Sequence, residues 1–562
     1  MPSQSKSTRK PGPKAQHPQK QTSRWFHLGR AAGYLALAAL ASPVSQLTLA
    51  PVYGSIPSSQ FHQRSLSAIA LLAFVWKGTV QGRLWLNLER LLPVIAFWIP
   101  TIQFFLFSFS SKLGPTAGPL LTELLTLLPL LFVTFFSGAG LVEKAGLTSS
   151  GHAIKDALPV VGSYMGFSLL QKLFYATLPH YIGTASAFTR TGLQLLIACA
   201  FSALSPSWLI FLALPSIFHT FLTNPHFVAD TTTAALNKTL APHQFTLLER
   251  QESLTGYISV LEGQNDAFRV MRCDHSLLGG EWLVSPDRAE QGQKEPESIY
   301  SVFNMLEAVR LIEVPDKRED AESSALVIGL GIGTSPSAFI KLGINTTIVE
   351  IDPVVHYFAT KYFGLPSNHT AAIENAIPFV RNTALDHPSS YDYIIHDVFT
   401  GGAEPAALFT LEFLEGLRSL LRENGAIAIN YAGDLELPSA KMVLNTIHTV
   451  FPNCRIYRDS PPDPDGETFI NMILFCVKSE DSKLTFRKPE LADHGDSLGR
   501  QRYIPPNPEW EIAIDLTSDE ARSAGVLRRG QEAELERHQI GSALAHWKIM
   551  RNVLPDIVWE TW

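Results

Sequence analysis

Acidic residues are almost missing from the first 222 positions of this 562-residue chain. Glu89, Glu123, Glu143 and Asp156 stand there against 16 Lys and Arg, so the remaining 340 residues hold 29 basic and 48 acidic side chains. A basic, apolar half is thus joined to an acidic one. The acidic half lacks the basic footprint that nucleic acid requires, which excludes that class of partner. Cysteine is scarce as well: Cys199, Cys273, Cys454 and Cys476 are scattered, with no CxxC pair and no zinc spacing. They are expected to be reduced, packed thiols, and no metal site is expected. There is no phosphate-binding P-loop, no H-E-x-x-H, no G-x-S-x-G and no solenoid period.

Long apolar runs fill the basic half. Runs at about 31–50, 66–86, 91–110, 119–141, 157–178 and 191–219 each approach the ~20 residues that cross a bilayer core, which predicts an α-helical membrane domain of about six spans over 31–222. The last could break at Ser205-Pro206. Residues 1–30 carry seven Lys/Arg and no acid, and are expected to have no fixed structure. Basic residues in short loops favour the cytosolic side. The N-terminal tail, Arg83, Arg90, Lys144 and Lys155 outweigh Arg64, Lys112 and Arg190. The expectation is a multi-pass integral membrane protein, partnered by the lipid bilayer, with a cytosolic N-terminus. Six spans then leave the acidic half cytosolic, and seven would reverse this. With a cytosolic acidic half the sequons at Asn237, Asn345 and Asn368 should carry no glycan. Glu123 and Lys172 are candidate intramembrane charges, expected to act as interfacial anchors.

The acidic half changes texture. Residues 245–314 alternate as short strands with glycine turns and end in a helix, which predicts a small β module. After the charged stretch Pro315–Ser324, the run Ala325-Leu-Val-Ile328 enters the turn Gly329-x-Gly331-x-Gly333. The next apolar run, Thr346–Val349, ends in Glu350-Ile-Asp352-Pro353. Strand, glycine turn, helix, strand and terminal carboxylate form half of a nucleotide-binding βαβ unit. Thr334 stands where a dinucleotide fingerprint has its third glycine, so a mononucleoside such as S-adenosylmethionine fits better. Further strands and helices alternate to about residue 480, predicting a doubly wound, Rossmann-like α/β domain over 323–480. Gly329, Gly331, Gly333, Glu350, Asn375 and Asp397 then meet at the carboxyl ends of the strands. His396 alternates with Asp397 and should point to the opposite face. Asp274, His275 and Glu404 are further candidates, each with a plain structural reading beside it. The tail, 484–562, holds an expected strand, Glu509–Leu516, and a helix, Gly530–Asn552. It is expected to pack on the catalytic domain rather than dock on a membrane.

Over about 250–480 the chain resembles the spermidine/spermine synthase (polyamine aminopropyltransferase) family. The resemblance is carried by Val327-Ile-Gly-Leu-Gly-Ile-Gly333, Val349-Glu-Ile-Asp-Pro353 and Tyr391-Asp-Tyr-Ile-Ile-His-Asp397. Bacterial and fungal relatives with membrane-spanning N-terminal domains look similar to it. The resemblance implies a class I methyltransferase-type Rossmann-like domain preceded by a small β module, and a transferase that binds decarboxylated S-adenosylmethionine, or S-adenosylmethionine itself, and transfers an aminopropyl group to a small-molecule amine or polyamine. Asp397 would be the catalytic base. Gly329, Gly331, Gly333, Glu350, Asp352, Asn375 and Ala376 would hold the nucleoside, with Glu350 on the ribose hydroxyls. A homodimer is left open. Three acids of the family pattern are replaced here, by Ile332, Asn375 and Thr400. That loss weakens recognition of a polycation more than of a nucleoside. The alternatives are a methyltransferase on the same scaffold and an inactive membrane scaffold.

Overall fold

The computed structural model describes residues 19–80, 87–147, 153–398, 405–462, 469–479, 483–516, 518 and 523–562. In the first half, helices Gln19–Tyr53, His62–Val80, Leu92–Phe107, Ser110–Leu125, Leu127–Lys144, Ala153–Thr177, Arg190–Leu204 and Leu214–Leu222 form one layer around a shared apolar core. Residues 19–30 belong to the first helix, where the composition had suggested no fixed structure. Three helical stretches, Arg24–Tyr53, Leu88–Phe107 and Ser110–Lys144, are long and apolar enough to cross a membrane. Leu71, Trp76, Leu169, Phe211 and Leu222 on the outer surface are exposed.

Contacts fix the direction of each pass. Arg30, early in the first helix, binds Glu89 and the Leu204 carbonyl. At its other end Val52 accepts from Trp547 and Pro51 from Arg272, both in the soluble half. Ser42 meets His62, and Lys77 pairs with Glu143. Ser45 meets Glu123, and Gln171 meets Ser42. Arg190 lies against Glu252 of the soluble half, whereas Ser205 reaches the Glu89 carbonyl at the opposite face. The expected span 191–219 is therefore two pieces. Arg190–Leu204 runs away from the soluble half, and Trp208–Leu222 returns beside Leu92–Phe107 through Trp98–Leu212 and Thr101–Ser216 contacts. Ser205-Pro206 breaks the helix because proline cannot supply the ladder N–H. The described helices thus pass through the layer seven times, taking Ser110–Lys144 as one kinked pass, and residues 19–30 and the soluble half lie at opposite faces. Glu123 is not an interfacial anchor. It is 2% exposed and accepts from Ser45 and Gln46, with His62 Nδ1 at 2.7 Å.

Among the described residues, the acidic half contains two sheets. Strands β1 (Phe245–Glu252), β2 (Tyr257–Gly263), β3 (Phe268–Cys273), β4 (Ser276–Trp282) and β5 (Glu297–Ser298) form an antiparallel meander. Strands β6 (Ser324–Ile328), β7 (Asn345–Glu350), β8 (Thr370–Ile373), β9 (Tyr391–His396), β10 (Leu421–Asp434), β11 (Cys454–Arg458) and β12 (Phe469–Val477) form the second, in the order β11-β12-β10-β9-β6-β7-β8. β6 to β10 are parallel, and β12 runs antiparallel to β10. This is the expected Rossmann-like domain of methyltransferase type. Its order reverses between β6 and β9, where such sheets bind ligands. Leu326, Ile328, Ile394 and Ile429 face one apolar cluster, while Ala325, Val327, Ile395 and Ala428 face another, as strands covered on both sides must. Cys454 and Cys476 stand directly opposite across β11 and β12 and are joined in a disulfide, which corrects the expectation of four reduced thiols. The pairing depends on strand register, which cysteine spacing does not reveal.

The tail divides: its first part packs on the catalytic sheet as expected, with Leu484 and Ile504 in one apolar cluster and Leu516, Leu527 and Leu535 in the other, whereas residues 539–562 fill the seam between the helical layer and the β module. Trp562 stacks on His226 at 4.7 Å, Trp547 donates to the Val52 carbonyl, and Arg551 donates to the Val52 carbonyl and to Ser110. The expected helix 530–552 is Glu532–Glu536 and Gln539–Val553, and the short helices Leu491–His494, Leu498–Tyr503 and Asp556–Glu560 were not expected. The expected strand at 509–516 is reduced to one bridge, Tyr457 to Glu511.

Candidate functional site

β6 delivers the chain into the glycine turn at the carboxyl edge of the sheet. Gly329, Gly331 and Gly333 all have positive φ, at 85°, 54° and 85°. A Cβ on Gly329 would lie 2.0 Å from the Asp397 carbonyl oxygen, and one on Gly331 would lie 2.5 Å from that of Leu278 on β4. The glycines therefore let three backbones converge: the turn, the end of β9 and the β module. Between them, Leu330 and Ile332 are buried against Ile258, Val260 and Met271 of the module. Burial of each such side chain is worth roughly 1.5–3 kcal/mol, so the module clamps the turn in place.

Glu350 ends β7 beside this turn. One carboxylate oxygen accepts from Leu330 N at 3.0 Å and the other from Asp352 N at 2.9 Å. Burial raises its pKa to about 7. Each oxygen retains a second lone pair, the chemistry needed to accept from a ribose diol. Asp397 follows β9, held by its N–H to the Ile328 carbonyl at 2.9 Å. Its carboxylate accepts from Asn430 Nδ2 on β10 at 2.8 Å, and burial raises its pKa to about 6. Asn430 Oδ1 is itself buried with no partner among the described residues. Sequence reasoning missed Asn430, since nothing local separates it from other strand residues.

Leu278, Phe303, Leu330, Ile332, Pro336 and Ile395 line the cleft beside Gly329 and Asp397, together with Thr334 and the buried Ser335. Ile332 is 5% exposed and would touch a Cβ placed on Gly279. The wall is apolar where a polyamine enzyme would be expected to carry an acid.

Asn375 and Ala376 lie at the same edge, after β8. The Asn375 side chain caps the helix Ala376–Asp386 by accepting from Ile377 N. Asp352 belongs elsewhere, which corrects its assignment to the nucleoside. It is fully buried, caps the helix Pro353–Tyr362, and accepts from Ser253 Oγ at 2.7 Å and Thr255 Oγ1 at 2.6 Å. It ties the β1–β2 turn to the sheet. Asp274 and His275 are also outside the cleft. Asp274 accepts from Arg190 Nη2 at 3.0 Å, and His275 packs on Trp547 and Trp559. Arg190 also pairs with Glu252, linking the helical layer to the module. His396 is fully buried against Phe409 and Phe413, on the face away from Asp397. Thr400, Gly401, Gly402 and Glu404 lie outside the described residues.

The comparisons extend this geometry. Residues 307–486 match the spermine/spermidine synthase domain. The chain is 46% identical over 542 residues to the N-terminal histidine N-methyltransferase of Emericella nidulans, covering 94% of this chain and 97% of that protein. It is 30% identical over 191 residues to the polyamine aminopropyltransferase of Vibrio vulnificus, covering 33% of this chain and 60% of that one. Among solved structures, a probable spermidine synthase from Corynebacterium glutamicum is 19% identical with a TM-score of 0.38, over 50% of this chain and 96% of that chain. The likeness to the Emericella protein runs through both halves, whereas the aminopropyltransferase matches one third of the chain. This chain belongs to the family of the Emericella nidulans N-terminal histidine N-methyltransferase, and carries a spermine/spermidine synthase domain within that frame.

Proposed function

We propose that this chain is a membrane-anchored, S-adenosylmethionine-dependent methyltransferase whose acceptor is a nitrogen of a protein's N-terminal histidine. The observation that carries the reading is the 46% identity along nearly the full length of both chains. The apolar wall at Ile332 supports it: methyl transfer needs no carboxylate to hold an aminopropyl ammonium, whereas aminopropyl transfer to a polycation would miss all three acids replaced here. The long apolar helices and the exposed apolar surface of the helical half support the anchor.

The chemistry follows from the residues. The glycine turn presents backbone to the nucleoside, and Glu350 offers acceptors to its ribose. The acceptor imidazole attacks the methyl carbon through a lone pair. The carbon–sulfur bond breaks, sulfur becomes neutral, and positive charge passes to the ring. A carboxylate at Asp397 can accept the ring's other N–H, fix the tautomer and stabilise the charge that develops. An unperturbed imidazole has a pKa near ~6.5, so ring and carboxylate are both in their reactive forms just above neutrality. An alkylamine, near ~10, would arrive protonated.

The test is a calorimetric titration of the full chain in detergent with S-adenosylmethionine and with its decarboxylated form, repeated in the presence of a peptide that begins with histidine. The reading expects S-adenosylmethionine to bind and the peptide to bind the complex. Preference for the decarboxylated nucleoside, with no response to the peptide, would restore aminopropyl transfer.

A further inference from the structure

We propose that Asn368 is an N-glycan acceptor, because the soluble half lies on the non-cytosolic side of its membrane. The inference rests on the membrane anchor proposed above, and three observations carry it.

The first is the count of passes. Seven crossings put residues 19–30 and the soluble half at opposite faces of the helical layer. Among the described residues, Arg24, Arg30, Arg90 and Lys144 lie towards the face of the N-terminus, against Arg64, Lys112 and Arg190 towards the other, and the sequence ahead of the first helix holds Lys and Arg but no acid. Basic loops stay cytosolic, so the soluble half is translocated. The second is the disulfide between Cys454 and Cys476 within the catalytic sheet. Such bonds persist in oxidising compartments and are rare in the cytosol. It is independent of the helices.

The third is the setting of the sequon Asn368-His369-Thr370. Asn368 and Thr370 are exposed, and Asn368 lies in the connection between the helix Pro353–Tyr362 and β8. It therefore sits at the start of β8, the sheet edge opposite Glu350 and Asp397. A six-residue strand such as β7 spans about 20 Å, so a glycan there clears the cleft at the opposite edge. Asn345, the first residue of β7, is exposed at the same edge. Asn237 differs: its amide accepts from Leu247 N and donates to the Leu247 carbonyl, holding β1 to the helix Asp230–Leu240.

The modification forms a bond between Asn368 Nδ2 and the anomeric carbon of an oligosaccharide. The bond from that carbon to the phosphate of a lipid-pyrophosphate donor breaks, and the amide loses a proton. Donor and transferase belong to the translocated compartment, so the glycan reports sidedness.

The full chain, expressed in a eukaryotic host and recovered from carbonate-washed membranes, should lose mass on treatment with an amidase that removes N-glycans. Asn368→Gln should remove or reduce that shift and leave methyl transfer unchanged. Without reductant, Cys454 and Cys476 should resist alkylation. Protein that is membrane-integral yet shows no shift, or a shift untouched by Asn368→Gln, overturns the inference. Methyl transfer is read in the same membranes, so its failure with the glycan present would count against the function alone.

Discussion

Replacing Asp397 by Asn separates catalysis from folding, because the two should move in opposite directions. Burial lifts the Asp397 carboxyl from its ordinary 3.8 to about 6, and the bond from Asn430 only partly offsets this. At about 1.36 kcal/mol for each pKa unit, the ionised carboxylate costs the fold on the order of 3 kcal/mol at pH 8. An acid whose folded pKa is raised contributes its stability at low pH and loses it as pH rises through the folded value. The amide is isosteric and uncharged, and it can still offer an oxygen to Asn430 Nδ2. Asp397→Asn should therefore melt at least as high as the parent at pH 8, with the difference shrinking as pH falls from about 6 to about 4. Methyl transfer should drop by ~10²–10⁴, the usual worth of a positioned acid–base group, while S-adenosylmethionine affinity changes little. Thermal melts in detergent across that pH range, with single-turnover rates at saturating nucleoside, read both. A variant that keeps the parent's rate refutes the role given to Asp397, and one that loses stability at pH 8 refutes the electrostatic account of its environment.

Glu350→Gln should weaken S-adenosylmethionine binding by about tenfold or more, since one charge-assisted bond is worth roughly 1.5–3 kcal/mol; calorimetry checks it, with the maximal rate less affected. Gly329→Ala should lower the melting temperature and abolish nucleoside binding, because its Cβ would fall 2.0 Å from the Asp397 carbonyl oxygen at a φ of 85°. The rate of methyl transfer should rise with pH through about 6 to 7 as Asp397 and the acceptor imidazole lose their protons. In Asp397→Asn the limb near 6 that belongs to Asp397 should be lost. Asn430→Leu, which removes the one side-chain donor to that carboxylate among the described residues, should move the Asp397 limb to higher pH.

Much of the catalytic sheet could be read from the chain. A buried strand running into Gly329-x-Gly331-x-Gly333, and the strand-terminal acids Glu350 and Asp397, are local patterns. Parallel-sheet topology then sends every strand end to one edge. What escaped the sequence depends on register and distance. Asn430 matters because β10 lies beside β9, and Cys454 matters because Cys476 faces it across two antiparallel strands. Asp352 has the same local signature as a nucleoside ligand, yet its carboxylate is taken by Ser253 and Thr255, about a hundred residues away in sequence. The break at Ser205-Pro206 was visible, but only the contacts of Leu204 and Leu212 reveal that the chain turns back there. The tail's aromatic residues gave no hint of the seam they fill.

The central claim is the identity of the transferred group. The most direct measurement is mass spectrometry of a peptide beginning with histidine after incubation with the full chain and S-adenosylmethionine, with fragmentation to locate the added mass. The account predicts one methyl group on the N-terminal residue, absent when that histidine is acetylated at its α-amine or moved inward by one residue, and strongly reduced with Asp397→Asn. An unmodified peptide, together with an aminopropyl group gained by a polyamine from the decarboxylated nucleoside, would contradict it.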